Sequence, residues 1–435
     1  MTVNFARWNH ILIPTTKAGR DRFRRSAVGR AIRPFAWLYG ALSEEGRVLA
    51  VATMAVGGFG LDVSATAVYL LWAALAGLLL ASLAWSFAYR LEGVRVEVES
   101  PRRVTVGEAV TFSITVRDDG STGRDRHAVR VHGPFLPWDG AWIGRAPRLA
   151  RIPRAGAIRA ELTARFSARG EHHLDPFFAT ALAPLGLAQG APASSSGVRF
   201  LVVPRIARVV RLSLPEGSRD QPGGVARASR TGESLELRGV RPYRAGDPVR
   251  LLHARSSARA GTPVVREYQE EHERRVGVVV DVAPPVSLPR VPFRSGAADA
   301  RRREAILELA AGVVAFLARG EALLDRLVVQ GRVHDLTLGR HLGFLEQALD
   351  VLACVDAGAP PVPAARLLAC LTPSLTRLSC VIVVAPAWDG GALATSIRAA
   401  GAACTTLVVG EGGAPGPGVR EVSMKAITRG DALVL

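Results

Sequence analysis

The chain has 435 residues, 49% of them hydrophobic and 21% charged, and a formal net charge of +17. That length excludes a single small domain and leaves room for two or three cores. The excess charge is nearly all arginine, with Lys17 and Lys425 the lysines, and it runs along the chain without the interleaved aromatics of a single-strand binder, so no specific nucleic-acid partner is expected.

Residues 1–46 form a basic arm in which Arg20, Arg22, Arg24, Arg25, Arg30 and Arg33 alternate with Phe23, Phe35, Trp37 and Leu38. That pattern suits a segment lying on anionic lipid better than a cleaved signal peptide, whose apolar core would begin earlier. Between Arg47 and Arg90 the one charge is Asp62. Residues 65–89 are apolar over about 25 positions, or about 37 Å of helix, enough to cross a bilayer. Residues 48–61 are shorter, about 14 positions, and end in Gly57, Gly58 and Gly60. The two runs predict a transmembrane helical hairpin over 47–90, with a buried core helix as the alternative for the first. Basic residues on both flanks put both ends in the cytoplasm, at the inner membrane.

From residue 93 to 205 the pattern turns to short alternating runs: 94–100, 109–118, 128–133, 157–168 and 197–206. Separated by Gly, Pro and Asp, they predict a β-sandwich of the immunoglobulin or fibronectin kind. His172, His173 and Asp175 inside it read as a solvated loop rather than a metal site. Trp138 and Trp142 fall in a Pro/Gly-rich loop, packed or forming an exposed contact surface.

Residues 206–272 begin with a polar, Gly-containing linker at 218–230 and continue into a dense charged run. Gly246 before Asp247 and Pro248 is turn chemistry, and Asp247 can accept backbone N–H groups or an arginine fork. Residues 262–268 read as a strand, and 276–282 as a second, fully buried one. Beyond 273 strands alternate with helices, at 300–319, 324–331, 333–339, 342–354, 378–386, 391–400 and 404–410. That order predicts a largely parallel, doubly wound sheet over 273–435. Cys354, Cys370, Cys380 and Cys404 lack Cys-x-x-Cys spacing and read as free thiols.

The charged run resembles one bacterial family. Arg238, Gly239, Arg241, Tyr243, Gly246, Asp247 and Arg250, then Ser257, Ala258 and Arg259, then Val265, Arg266, Glu267 and Tyr268, then Asp281 match the order seen in the "domain of unknown function 58" family. Residues 169–189 are also similar to it, and His253 stands where the family usually has Trp. The resemblance implies a membrane anchor and a C-terminal von Willebrand A-like domain of Rossmann type. It also implies work alongside a MoxR-type AAA+ ATPase and a transglutaminase-like membrane protein.

Domains of that type hold a divalent ion through an Asp-x-Ser-x-Ser turn, a Thr and a second Asp. Here Asp281 is followed by Val282, Ala283, Pro284 and Pro285, so both serines are missing. Thr337 is the nearest threonine, and Asp389 falls later than the pattern expects. Asp281 therefore reads as a vestigial, structural carboxylate, and neither a metal nor a cofactor is expected. Ser256 and Ser257 near His253 invite a hydrolase reading, but on a strand-like stretch neighbours point to opposite faces. His253 reads instead as filling a half-buried position. The expected function is a non-catalytic, membrane-anchored scaffold; a metal-dependent ligand-binding protein and a hydrolase with an unrecognised site are the alternatives.

Overall fold

The computed structural model describes residues 22–23, 25–59, 66–121, 125–214, 221–231, 237–282, 295–320, 322–336, 342–356, 362–388, 390–410 and 418–435. The chain divides into two compact units, residues 1–202 and 203–435.

The first unit opens with three helices. Helix α1 (Ala27–Ala41) starts where the Ser26 hydroxyl accepts the Gly29 N–H, and it exposes Ile32, Phe35, Trp37 and Leu38. Helix α2 (Glu44–Phe59) begins before the apolar run does, because Ser43 caps the Gly46 N–H at 3.0 Å and Glu44 and Glu45 complement the dipole of the first turn. Its 16 residues span about 24 Å, short of a bilayer core of about 30 Å. Helix α3 (Thr66–Ser86) contains, at Ala67–Ser86, the one helix among the described residues that is long and apolar enough to cross a membrane. Helices α2 and α3 pack together, and Gly57 permits it: a Cβ there would sit 2.6 Å from Trp72 Nε1.

The rest of this unit is antiparallel. Strands β1 (Val94–Glu99), β2 (Arg103–Thr105), β3 (Ala109–Asp118), β4 (Arg126–His132), β5 (Gly140–Ile143) and β6 (Arg148–Ile152) come first. Strands β7 (Ala157–Phe166), β8 (Gly170–Leu174), β9 (Phe178–Ala181), β10 (Ala193–Ser194) and β11 (Val198–Val203) follow. They form sheets ordered β1-β3-β7-β5, β10-β9-β4-β6 and β2-β11-β8. Period-two alternation sends Val110, Phe112, Ile114 and Val116 of β3 inward, where Phe166, Phe177 and Phe200 from other strands meet them in one core. Strand β8 lies where a solvated loop is expected: register turns the His172 side chain into that core and leaves it 8% exposed. The sheets are tied to the start of α2 by Arg130, 2% exposed, whose Nη2 donates to both Glu45 oxygens at 2.9 and 3.0 Å.

The second unit is α/β. Strands β12 (Val209–Arg211), β13 (Gln221–Thr231) and β14 (Leu237–Pro242) precede α4 (Ala254–Ala260) and β15 (Val264–Val280). Next come α5 (Ser295–Arg319), β16 (Ala322–Val329), β17 (Arg332–Asp335), α6 (Leu342–Ala353) and α7 (Ala364–Leu375). Then follow β18 (Cys380–Ala385), α8 (Ala392–Ala399), β19 (Ala403–Val409), β20 (Val419–Val422), α9 (Met424–Arg429) and β21 (Leu433–Val434). The main sheet runs β17-β16-β15-β18-β19-β20, parallel except for the β16–β17 edge. Its parallel strands therefore take the order second, first, third, fourth, fifth, a doubly wound arrangement with its switch point between β15 and β18.

Two expectations fail here. Residues 221–230 of the expected linker lie in a strand, β13, paired antiparallel with β15. The two strands expected at 262–268 and 276–282 are one, because β13 and β14 continue the backbone ladder through the charged run between them.

Candidate functional site

The charged segment is organised by one carboxylate. Strand β14 pairs with β15 so that Arg241 lies opposite Val265, and Tyr243 N–H donates to Pro263 O at 2.9 Å just beyond the strand. The chain then turns over 244–247, closed by the Asp247 N–H on Arg244 O at 3.0 Å and made possible by Gly246 at φ +105°. The turn aims Asp247 back at β14. Arg241 Nη1 donates to Oδ2 at 2.7 Å and Nη2 to Oδ1 at 2.8 Å, a fork closing on both oxygens, while the Arg244 N–H adds a third bond at 2.8 Å. The Arg241 fork first, and then the Arg244 N–H, hold the carboxyl down to about 2. An acid so fully occupied is a clamp and a poor proton acceptor at neutral pH.

Helix α4 follows, where a strand-like stretch is expected, and it changes the geometry of the serines. Ser256 and His253 are not on opposite faces: the Ser256 Oγ lies 2.6 Å from His253 Nδ1, one turn away on the same helix end. The half-buried His253 ring is thus met by a side chain rather than by backbone. Ser257 closes the turn, its hydroxyl donating to His253 O at 3.0 Å and accepting the Val264 N–H at 2.9 Å. The Ser–His contact runs within one turn, at the start of α4.

The other motif residues spread along the same elements. Arg238 lies on β14, with Glu267 and Tyr268 on the backbone of β15 opposite it; Arg266, Arg250 and Arg259 are exposed. Arg244 and Arg255 are exposed as well, and Val240, Tyr243, Val249 and Leu252 are 46, 39, 73 and 37% exposed. This apolar component is what sequence reasoning misses. Its only signal is Val249 and Leu252 standing apolar among arginines in a turn-rich stretch.

Asp281 lies at the carboxyl end of β15, on the switch point, where its N–H donates to Val384 O at 2.9 Å. The residues after it in sequence, Val282 through Pro285, carry no side-chain oxygen of the kind a hard divalent ion takes. Thr337 and Asp389 lie outside the described residues. Among the described residues no three His, Cys, Asp or Glu side chains gather as a metal site.

No curated protein matches this chain. Among solved structures, the solution structure of a CARDB domain from Pyrococcus furiosus is similar at 13% identity, covering 24% of this chain and 94% of that one, with a TM-score of 0.15. A family model described as "Protein of unknown function DUF58" matches residues 239–335. That interval holds most of β14, the Arg241–Asp247 clamp, α4 and β15, so the similarity to the DUF58 family falls on the segment that the clamp organises.

Proposed function

We propose that the chain is a membrane-anchored, non-catalytic adaptor whose 240–259 surface docks a protein partner. The observation carrying this reading is the exposure of Val240, Tyr243, Val249 and Leu252 in one stretch of sequence, interleaved with the exposed Arg244, Arg250, Arg255 and Arg259. Aromatic and arginine side chains around exposed apolar groups are the composition of interface centres, and the Asp247 clamp fixes the backbone that presents them. The arginines call for a partner with an acidic face. By resemblance that partner is a MoxR-type AAA+ ATPase, with a transglutaminase-like membrane protein in the same system. The architecture we infer is an α2–α3 hairpin in the inner membrane with both ends cytoplasmic. After it come an immunoglobulin-like sandwich and a von Willebrand A-like domain whose metal edge is degenerate.

The test is capture of a purified MoxR-type ATPase by the full chain in detergent, with melting measured on the same samples. Val249→Asp and Arg250→Glu should abolish capture and leave melting unchanged, because both side chains are exposed. Asp247→Asn should lower melting and capture together at neutral pH. The folded carboxyl is depressed, so its contribution is present above about pH 3.9 and lost as pH falls toward 2. The reading fails if Val249→Asp and Arg250→Glu both capture like the parent, or if Asp247→Asn leaves melting and capture intact yet abolishes a measurable turnover.

A further inference from the structure

A cavity of about 630 Å³ lies inside the first unit, between the start of α2 and the β4–β5 and β9–β10 connections. Its size is that of a small-molecule site, roughly 300–1,000 Å³. We propose that it binds the headgroup of a zwitterionic phospholipid carrying a primary ammonium, phosphoethanolamine, with the phosphate on Arg47 and the ammonium on Glu44. The proposal rests on the membrane-anchored reading above, and three observations carry it.

The first is depth. Glu44 and Arg47 sit in the first turn of α2, and the exposed residues that follow on that helix are apolar: Val48, Val51 and Met54 at 71, 62 and 67%. In a bilayer-anchored chain that change from charged to apolar marks the headgroup layer. Tyr39 and Phe135, both exposed and both lining the cavity, are the amphipathic and apolar groups such a layer takes.

The second is charge. Glu44 and Arg47 are three residues apart on one helix, a spacing at which opposite charges usually meet, yet they do not pair. Arg47 turns away: its Nε donates to Tyr39 O at 3.0 Å and its guanidinium carbon stands 3.7 Å over the Tyr39 ring. Among the described residues its two amino groups meet no acceptor, and Glu44 makes no hydrogen bond or ion pair. One cavity thus offers a separate cation and a separate anion, which complements a zwitterion.

The third is the polar wall. Gln189 Nε2 donates to Gly40 O at 2.7 Å, so its Oε1 accepts the Thr180 hydroxyl at 3.1 Å. With its proton so used, Thr180 accepts from His132 Nε2 at 3.2 Å, Gln189 also accepts a hydrogen bond from this ring, and in the neutral Nε2–H form Nδ1 carries a lone pair. Burial first, and then the Arg130 charge, lower the pKa of that imidazole against the opposing pull of Glu44. Glu44 and Nδ1 are two acceptors suited to ammonium N–H donors, which choline lacks. The Tyr39 face that could have held a quaternary ammonium is taken by Arg47.

The experiment uses the full chain in two formats. Flotation with phosphatidylglycerol vesicles tests anchoring alone. Thermal melting in nonionic detergent is then titrated with dihexanoyl phosphatidylethanolamine, the phosphatidylcholine and phosphatidylglycerol analogues, and free phosphoethanolamine. The ethanolamine lipid should give a saturable rise in melting temperature, and the other probes should bind at least about tenfold more weakly. Glu44→Gln and Arg47→Gln should each weaken it about tenfold, the weight of one charge-assisted hydrogen bond. Arg47→Lys should retain most of the binding, and Arg151→Gln, altering an exposed pair with Asp125 elsewhere on the sheets, all of it. A chain that floats but responds equally to choline or glycerol headgroups overturns the cavity assignment alone. Equal binding of free phosphoethanolamine overturns the lipid source. A chain that does not float overturns the anchoring reading and this proposal with it.

Discussion

Asp139 and His172 show what a single register position decides. The His172 Nε2 is 2.8 Å from Asp139 Oδ2 and its Nδ1 is 3.0 Å from Gly170 O. Both partners only accept, so the form of the ring that donates to both is the protonated imidazole. Burial opposes that charge, but the Asp139 hydrogen bond, the Gly170 carbonyl and the Asp139 charge outweigh it and raise the pKa. A raised folded pKa means the pair stabilises fully below the unfolded value of about 6.5, and less as pH climbs through the folded value. Melting of the full chain should therefore fall across the range above about pH 6.5, and His172→Phe should flatten that dependence. Asp139→Asn strands a buried cation and should cost about 3–5 kcal/mol at pH 6. Melting that is flat with pH in the parent would contradict the assignment. In the sequence His172, His173 and Asp175 look like one polar cluster. Alternation along β8 separates the two histidines, and Asp139 lies in a different part of the chain, so no spacing points to it.

Elements were legible where composition alone defines them and obscure where a partner does. Helix α3 declares itself because an apolar run of that length has few other uses. Strand β15 does not: residues 269–275 carry charges that suggest a break, but a backbone ladder needs no apolar side chains once β13 supplies the bonds. Helix α4 was hidden for a different reason, since seven residues are too few for periodicity to show. Gly57 is the element-scale residue most open to test. Gly57→Val places a branched side chain against Trp72 and should destabilise the chain in detergent by about 1–3 kcal/mol. Trp72→Ala in the same chain should restore part of that loss. Gly58, where a Cβ meets nothing within 4 Å, should accept alanine without cost. Equal effects at the two glycines would mean that α2 and α3 are not held together at Gly57.

At the scale of the molecule, alternation of strands and helices announces a doubly wound sheet, whereas strand order does not appear in any local pattern. The cavity is equally invisible in sequence, because its walls come from residues 39–47, 132–142 and 178–192. Topology is testable through the cysteines. Cys354 is exposed, Cys370 is half-buried, and Cys380 and Cys404 are buried, with burial pushing the Cys380 thiol up to about 12. A membrane-impermeant maleimide should therefore react chiefly at Cys354. If the second unit is cytoplasmic, intact cells should protect it and permeabilised cells should not. Equal labelling in both would place that unit outside.

Strand β15 also has a mechanical consequence. Its 17 residues extend over roughly 56 Å, one half laddered to β13 and β14 and the other held between β16 and β18. Tension along the strand would load those ladders in shear, so that many hydrogen bonds share it at once, whereas peeling the strand sideways would break them one after another. A pull along β15 would therefore meet more resistance than a pull that peels it from its neighbours.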